Sequence, residues 1–124
     1  MMEDFVPYKI ALHFKEYFIK NECIATIDQT EYLHINKTEW PIRGTMLYDT
    51  INCPTYEQIF RFFRESEELY GYIIPVSSTH WTFKIIYNVD REVGTLPNKD
   101  YSKYQDAQNA CLLELEQVFL DGVH

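Results

Sequence analysis

Residues Pro54 to Tyr87 read PTYEQIFRFFRESEELYGYIIPVSSTHWTFKIIY, and this stretch spells a helix, a strand, a turn and a second strand in succession. Thr55 with Gln58 three residues on has the form of a capping box, so a helix is expected to begin there. Glu57 adds negative charge at the positive end of the helix dipole. Tyr56, Ile59, Phe60 and Phe63 recur at the three- and four-residue spacing of one apolar face, which Phe62 widens. Arg61 with Glu65, and Arg64 with Glu68, are spaced to pair along the opposite face. Gly71 is the expected stop.

From His80 the period changes to two. Trp81, Phe83, Ile85 and Tyr87 fall on one side of a strand, and His80, Thr82, Lys84 and Ile86 on the other. Tyr72, Ile73, Ile74 and Val76 supply a partner strand, in which Pro75 belongs at an edge, a bulge or the end because it has no N–H to donate. Ser77, Ser78 and Thr79 lack the Asn-Gly or Gly signal of the tightest hairpins, so a looser loop is expected.

Outward from this centre, Pro7 suits a helix start, and Val6, Ile10, Phe14 and Phe18 step by four through a first amphipathic helix ending near Lys20 and Asn21. Cys23–Ile27 and Tyr32–Ile35 are short β-prone runs, expected as a hairpin or two short strands. Asn36 to Pro54 is punctuated as loop by Trp40-Pro41, Gly44 and Asn52, with Thr45–Ile51 available as a further strand. Asn88 to Lys103 reads as a long connection. Tyr104, Ala107, Cys111, Leu115, Val118 and Phe119 mark a last helix, capped by Asp100 or Ser102, stopped at Gly122, and facing Gln105, Asp106, Asn109, Glu116 and Gln117 mainly outward. The order α-β-β-α-β-β-α predicts an α+β fold: a small, mostly antiparallel sheet with about three helices packed on it, in a single globular domain over residues 1–124.

A chain of 124 residues, 46% of them hydrophobic and 16% aromatic, has enough apolar mass to build a core without staples and is not a disordered, solvating chain. Eleven basic against nineteen acidic residues give a formal charge of −8, spread along the chain. That argues against phosphate-backbone binding, which needs clustered Lys and Arg, and the plain reading of the charge is solubility. Cys23, Cys53 and Cys111 are odd in number, far apart and in no CxxC spacing, as expected of reduced thiols, with Cys111 in the core. Glu3 and Asp4 stand where a secretory leader would be basic, and there is no apolar run of membrane-spanning length, so a soluble cytoplasmic protein without membrane association is expected.

Pro54-Thr55-Tyr56, the Phe63-Arg64-Glu65 step, the strand centred on Trp81 and the closing helix from Tyr104 through Ala107 and Cys111-Leu112 together resemble small uncharacterised proteins of Bacteroidetes genomes, some of them in prophage regions. The likeness extends along most of the chain, with Phe62-Phe63 where a Trp is expected. It carries no catalytic residues, and implies an accessory protein of a mobile element.

Reaction centres are sparse. Cys53 precedes the capped helix, whose dipole lowers the pKa of a nearby thiol, and His34 or His80 would be the base of a Cys-His enzyme; the opposing reading is a loop cysteine and two strand histidines. His13, His34, His80 and His124 share no metal-ligand spacing. The glycines at 44, 71, 94 and 122 stand alone, so no phosphate loop is present. Glu67-Glu68 reads as a solvated face. No cofactor or metal is expected. What remains is aromatic density: Tyr70, Tyr72, Trp81, Phe83 and Tyr87 lie along the two central strands, where they form either a core face or a contact surface suited to protein more than to RNA. The favoured reading is a non-enzymatic interaction protein that binds a protein partner or itself, with Tyr70, Tyr72, Trp81 and Phe83 as candidate contacts. An acidic nucleic-acid mimic that inhibits a DNA- or RNA-acting enzyme, and a small Cys/His enzyme, are the alternatives.

Overall fold

A computed structural model describes residues 5–17, 25–31, 33–34, 50–88, 91–93 and 100–122. The expected helix end at Lys20–Asn21, Cys23, the Trp40–Gly44 loop, most of Thr45–Ile51 and His124 lie outside these residues. In chain order the elements are α1 (Tyr8–His13), β1 (Thr26–Asp28), β2 (Leu33–His34), β3 (Thr50–Asn52), α2 (Tyr56–Glu67), β4 (Leu69–Pro75), β5 (Trp81–Tyr87), β6 (Arg91–Val93) and α3 (Tyr104–Asp121). The class is α+β, as expected. The strands form two antiparallel three-stranded sheets instead of one, ordered β2-β1-β3 and β4-β5-β6. The additional strands are β3 and β6, each too short to show a period. The chain divides into two compact units, Met1–Tyr56 and Glu57–His124.

In the first unit α1 lies against β1 and β3, and Val6, Ile10, Ala11, Phe14, Ala25, Ile27 and Cys53 are buried. Pro7 is the N-cap and not the first helical residue, and it contributes no side-chain cap. The orphan amide of Tyr8 is instead met by the Glu31 carboxylate at 3.0 Å, an anion at the positive end of the helix. Glu31 ends the β1–β2 turn in the left-handed region, φ 70°. That turn is closed by the Glu31 N–H on the Asp28 carbonyl and by the Thr30 N–H on Asp28 Oδ1 at 2.9 Å, an Asp side chain imitating a backbone turn.

In the second unit β4 and β5 pair from Leu69↔Tyr87 through Pro75↔Trp81. The chain returns through Val76–His80, closed by the Val76 N–H on the His80 carbonyl at 2.9 Å, the looser loop that the absence of glycine predicts. Trp81 exchanges both backbone hydrogen bonds with Tyr101, at 2.8 and 2.7 Å. Its N–H and C=O therefore point away from β4, and the Pro75–Trp81 pair is of the non-hydrogen-bonded kind. Pro75 thus sits where its missing N–H faces the outer edge and costs no ladder bond.

Helix α2 begins at Tyr56, directly after Thr55 as the capping box requires, but its stop is not Gly71. Glu68 makes the turn, at φ 58°, and Gly71 lies inside β4. Its role is close approach: a Cβ there would meet Cys111 Sγ at 2.8 Å, Phe60 Cε1 at 3.0 Å and Leu115 Cδ1 at 3.1 Å. Arg64 and Arg61 turn back to Glu57, at 3.0 and 3.9 Å, not to the partners four residues ahead that the spacing suggested. Helix α3 starts from Lys103 without a side-chain cap, so neither Asp100 nor Ser102 serves, and ends at Gly122 in the left-handed region as expected. Glu116, expected outward, is buried.

A Gly71→Ala substitution should therefore destabilise the fold by about 1–3 kcal/mol through overpacking. Because the tightest contact is with the Cys111 sulfur, the double variant with Cys111→Ala should cost less than the sum of the two singles in urea unfolding.

Candidate functional site

Antiparallel register places directly opposed residues on one face of a sheet. Leu69, Gly71, Ile73 and Pro75 of β4 therefore share a face with Tyr87, Ile85, Phe83 and Trp81 of β5, and Tyr70, Tyr72 and Ile74 share the other with Ile86, Lys84 and Thr82. Cys111 and Leu115 of α3 and Phe60 of α2 all meet the Gly71 side, so both helices of this unit pack on the first face.

The four candidate contacts are consequently split. Phe83 is 6% exposed and belongs to the core under α3, which removes it as a contact. Trp81 is half-buried on the same face, held by the Tyr101 backbone and set edge-on to Tyr104 at 5.9 Å; it fixes the start of α3 on the sheet. Tyr70 and Tyr72 stand on the opposite face. Their rings stack at 6.5 Å and 10°, and Tyr72 is 47% exposed. Lys84 lies directly across from Tyr72, and Glu92 of β6 is across from Ile86 on the same face. Arg91, on the helix side, lies 5.5 Å from the centre of the Tyr87 ring. The surviving surface is a stacked tyrosine pair with a cation beside it and a carboxylate at its rim.

Cys53 and Cys111 take no part in it. Cys53 is fully buried; its N–H is bonded to the Ala25 carbonyl and its thiol donates to the Val6 carbonyl at 3.2 Å. A sulfur whose proton is engaged inside the core is a packing group, not a presented nucleophile. Cys111 is the core residue expected, and burial, with the Glu114 carboxylate adding to it, pushes its thiol far above its ordinary range. His80 is exposed on the hairpin loop, with Nδ1 2.8 Å from Thr79 Oγ1. His13 is exposed on α1, its ring beside Phe14. His34 stands in β2 at the position across from Thr26.

Thr26 carries a buried hydroxyl with no hydrogen-bond partner among the described residues, in a strand whose Asp28 is also buried and bound to Thr30. Among the described residues no three His, Cys, Asp or Glu side chains gather as metal ligands, and no helix is long and apolar enough to cross a membrane. Comparisons with protein-family models, with curated protein sequences and with solved structures return no match.

Neither Cys53 nor Cys111 should react with iodoacetamide in the native protein, and both should label in denaturant; mass mapping of the labelled peptides checks this. Above its ordinary value of 9.0 the Cys111 thiol ionises in the unfolded chain but not in the folded one. The unfolded chain then binds fewer protons, and stability should fall as pH rises past that point. Urea unfolding at pH 8 and 10 should show a shallower fall for Cys111→Ala.

Proposed function

We propose that this is a small, non-enzymatic interaction protein that binds another protein through the face of β4-β5-β6 opposite α2 and α3. The resemblance of its sequence to small Bacteroidetes proteins, some of them in prophage regions, supports an accessory role in a mobile element, and we place its action in the cytoplasm. The observation that carries the reading is Tyr72: a large ring, nearly half exposed, stacked on Tyr70. Both rings stand on β4, which is paired with β5. Rigid tyrosines on paired strands lose little entropy on binding and combine apolar area with a hydroxyl, which is why such residues anchor interfaces. The engaged thiol of Cys53 counts against the Cys/His enzyme.

Capture from a lysate of the source cell, run with wild-type protein, Tyr72→Ala and Tyr104→Ala, tests the reading. Tyr72→Ala should lose the captured protein, with a drop of about thirtyfold or more in affinity for a residue of this type, and should unfold at an unchanged urea midpoint. Tyr104→Ala, on the other face, should retain it. A partner held equally well by Tyr72→Ala would remove this face from consideration. Release of the partner by about 0.5 M salt would point instead to the acidic mimic, since exposed charge pairs are screened under those conditions.

A further inference from the structure

The outer edge of β4 has a geometry of its own. The Trp81–Tyr101 exchange fixes the hydrogen-bonding phase of β5, and the Val76 N–H to His80 and the Asn88 N–H to Glu68 bonds agree with it. Tyr70, Tyr72 and Ile74 therefore spend their backbone groups on β5, while the N–H and C=O of Leu69, Gly71 and Ile73 point sideways, away from the sheet; Leu69 is buried, whereas Gly71 and Ile73 are partly exposed. Among the described residues no strand pairs with that side of β4. Edge strands are ordinarily protected by charge, a bulge or proline. Leu69 to Ile74 has none of these, and proline appears only at position 75.

The helices bear on what kind of strand can be added. Helix α3 lies over β4 and β5, and α2 lies beside α3 through Phe63, edge-on to Phe119 at 6.1 Å. The single residue Glu68 joins α2 to β4, which places α2 on the β4 side of α3. Helices pack about 8–10 Å apart and strands about 4.8 Å apart, so α2 overhangs the edge. A second copy of the chain, related by the two-fold axis of an antiparallel pair, would bring its own α2 onto the same side as α3 and collide. One extended segment without a helix of its own does not.

We infer that the β4 edge takes an extended segment of a partner protein as an added strand, bonded to Gly71 and Ile73 and lying under α2. This rests on the interaction reading above and specifies how the partner is held. Segment residues opposite Gly71 and Ile73 face the helix side and are apolar; the alternate residues stand beside Tyr70 and Tyr72. Glu65, Glu67 and Glu68 gather where α2 passes into β4, at the negative end of the helix dipole, so the segment carries a basic residue at its Leu69 end. The protein's charge of −8 favours the same choice.

The test uses the full chain and a blocked peptide, acetyl-Lys-Val-Thr-Val-Thr-Val-Lys-amide, followed by amide-resolved NMR. The amides of Gly71 and Ile73 should shift and exchange more slowly on titration, more than those of Tyr70 and Tyr72. N-methylation of the peptide at its valines or at its threonines should block binding in one set and spare it in the other, because only one set faces the edge. Lys→Glu peptide ends should weaken binding several-fold. Ile73→Pro lies in the phase of Pro75 and removes an outward N–H without touching the β5 ladder, so it should weaken binding about tenfold or more. No shift at millimolar peptide overturns the inference, as does amide protection that appears with the protein's own concentration alone. If lysate capture still depends on Tyr72 while the edge amides stay unprotected, the inference falls and the face-binding reading stands.

Discussion

The second unit depends on a side chain that is not there. At Gly71 the backbone of β4 approaches α3 so closely that a single Cβ would overlap the Cys111 sulfur and crowd Phe60 and Leu115. The missing methyl lets one helix lie over the seam of β4 and β5 and lets the other contribute Phe60 to the same spot. Everything on the helix side follows from this approach: Leu69, Phe83, Ile85, Cys111, Leu112 and Leu115 are all buried. So does the character of the other side, which is left with the residues that had no place in the core.

Much of this was legible in the sequence. The start of α2 after Thr55 could be read because a hydroxyl and an amide three residues apart answer a local need of the first helical turn. The Phe83 and Ile85 alternation, the α3 face through Ala107, Cys111 and Leu115, and the Gly122 stop also depend on neighbours close in sequence. Gly71 was misread because glycine serves two ends, a positive φ or a close contact, and a sequence does not say which. Here Glu68 took the left-handed turn, and the glycine was left for packing. The short strands β3 and β6 are recognisable only by their partners, since three residues show no period.

The candidate surface was half legible. All four aromatics looked alike in the sequence, and what separates them is parity. With Pro75 opposite Trp81, odd positions on β4 and odd positions on β5 share the helix side. Tyr70 and Tyr72 therefore part from Trp81 and Phe83. That assignment needs the length of the hairpin loop and the face chosen by α3, and both are properties of the fold. Cys53 shows the same limit: its position ahead of a helix suggested activation, while its actual partner, the Val6 carbonyl, is far away in sequence.

The sheets of the two units also differ in how far apart in sequence their paired strands lie. In the second, each strand pairs with the next, and the Trp81–Tyr101 bridge ties the residues ahead of α3 to β5. In the first, β1 must find β3, Ile27 against Ile51, across a connection whose closure costs entropy before any contact repays it. Chains rich in near-neighbour contacts fold faster. The β4–β5 hairpin, closed by the short Val76–His80 return, can therefore pair before α3 docks on it, and the face that carries Tyr72 stands on this locally closed pair.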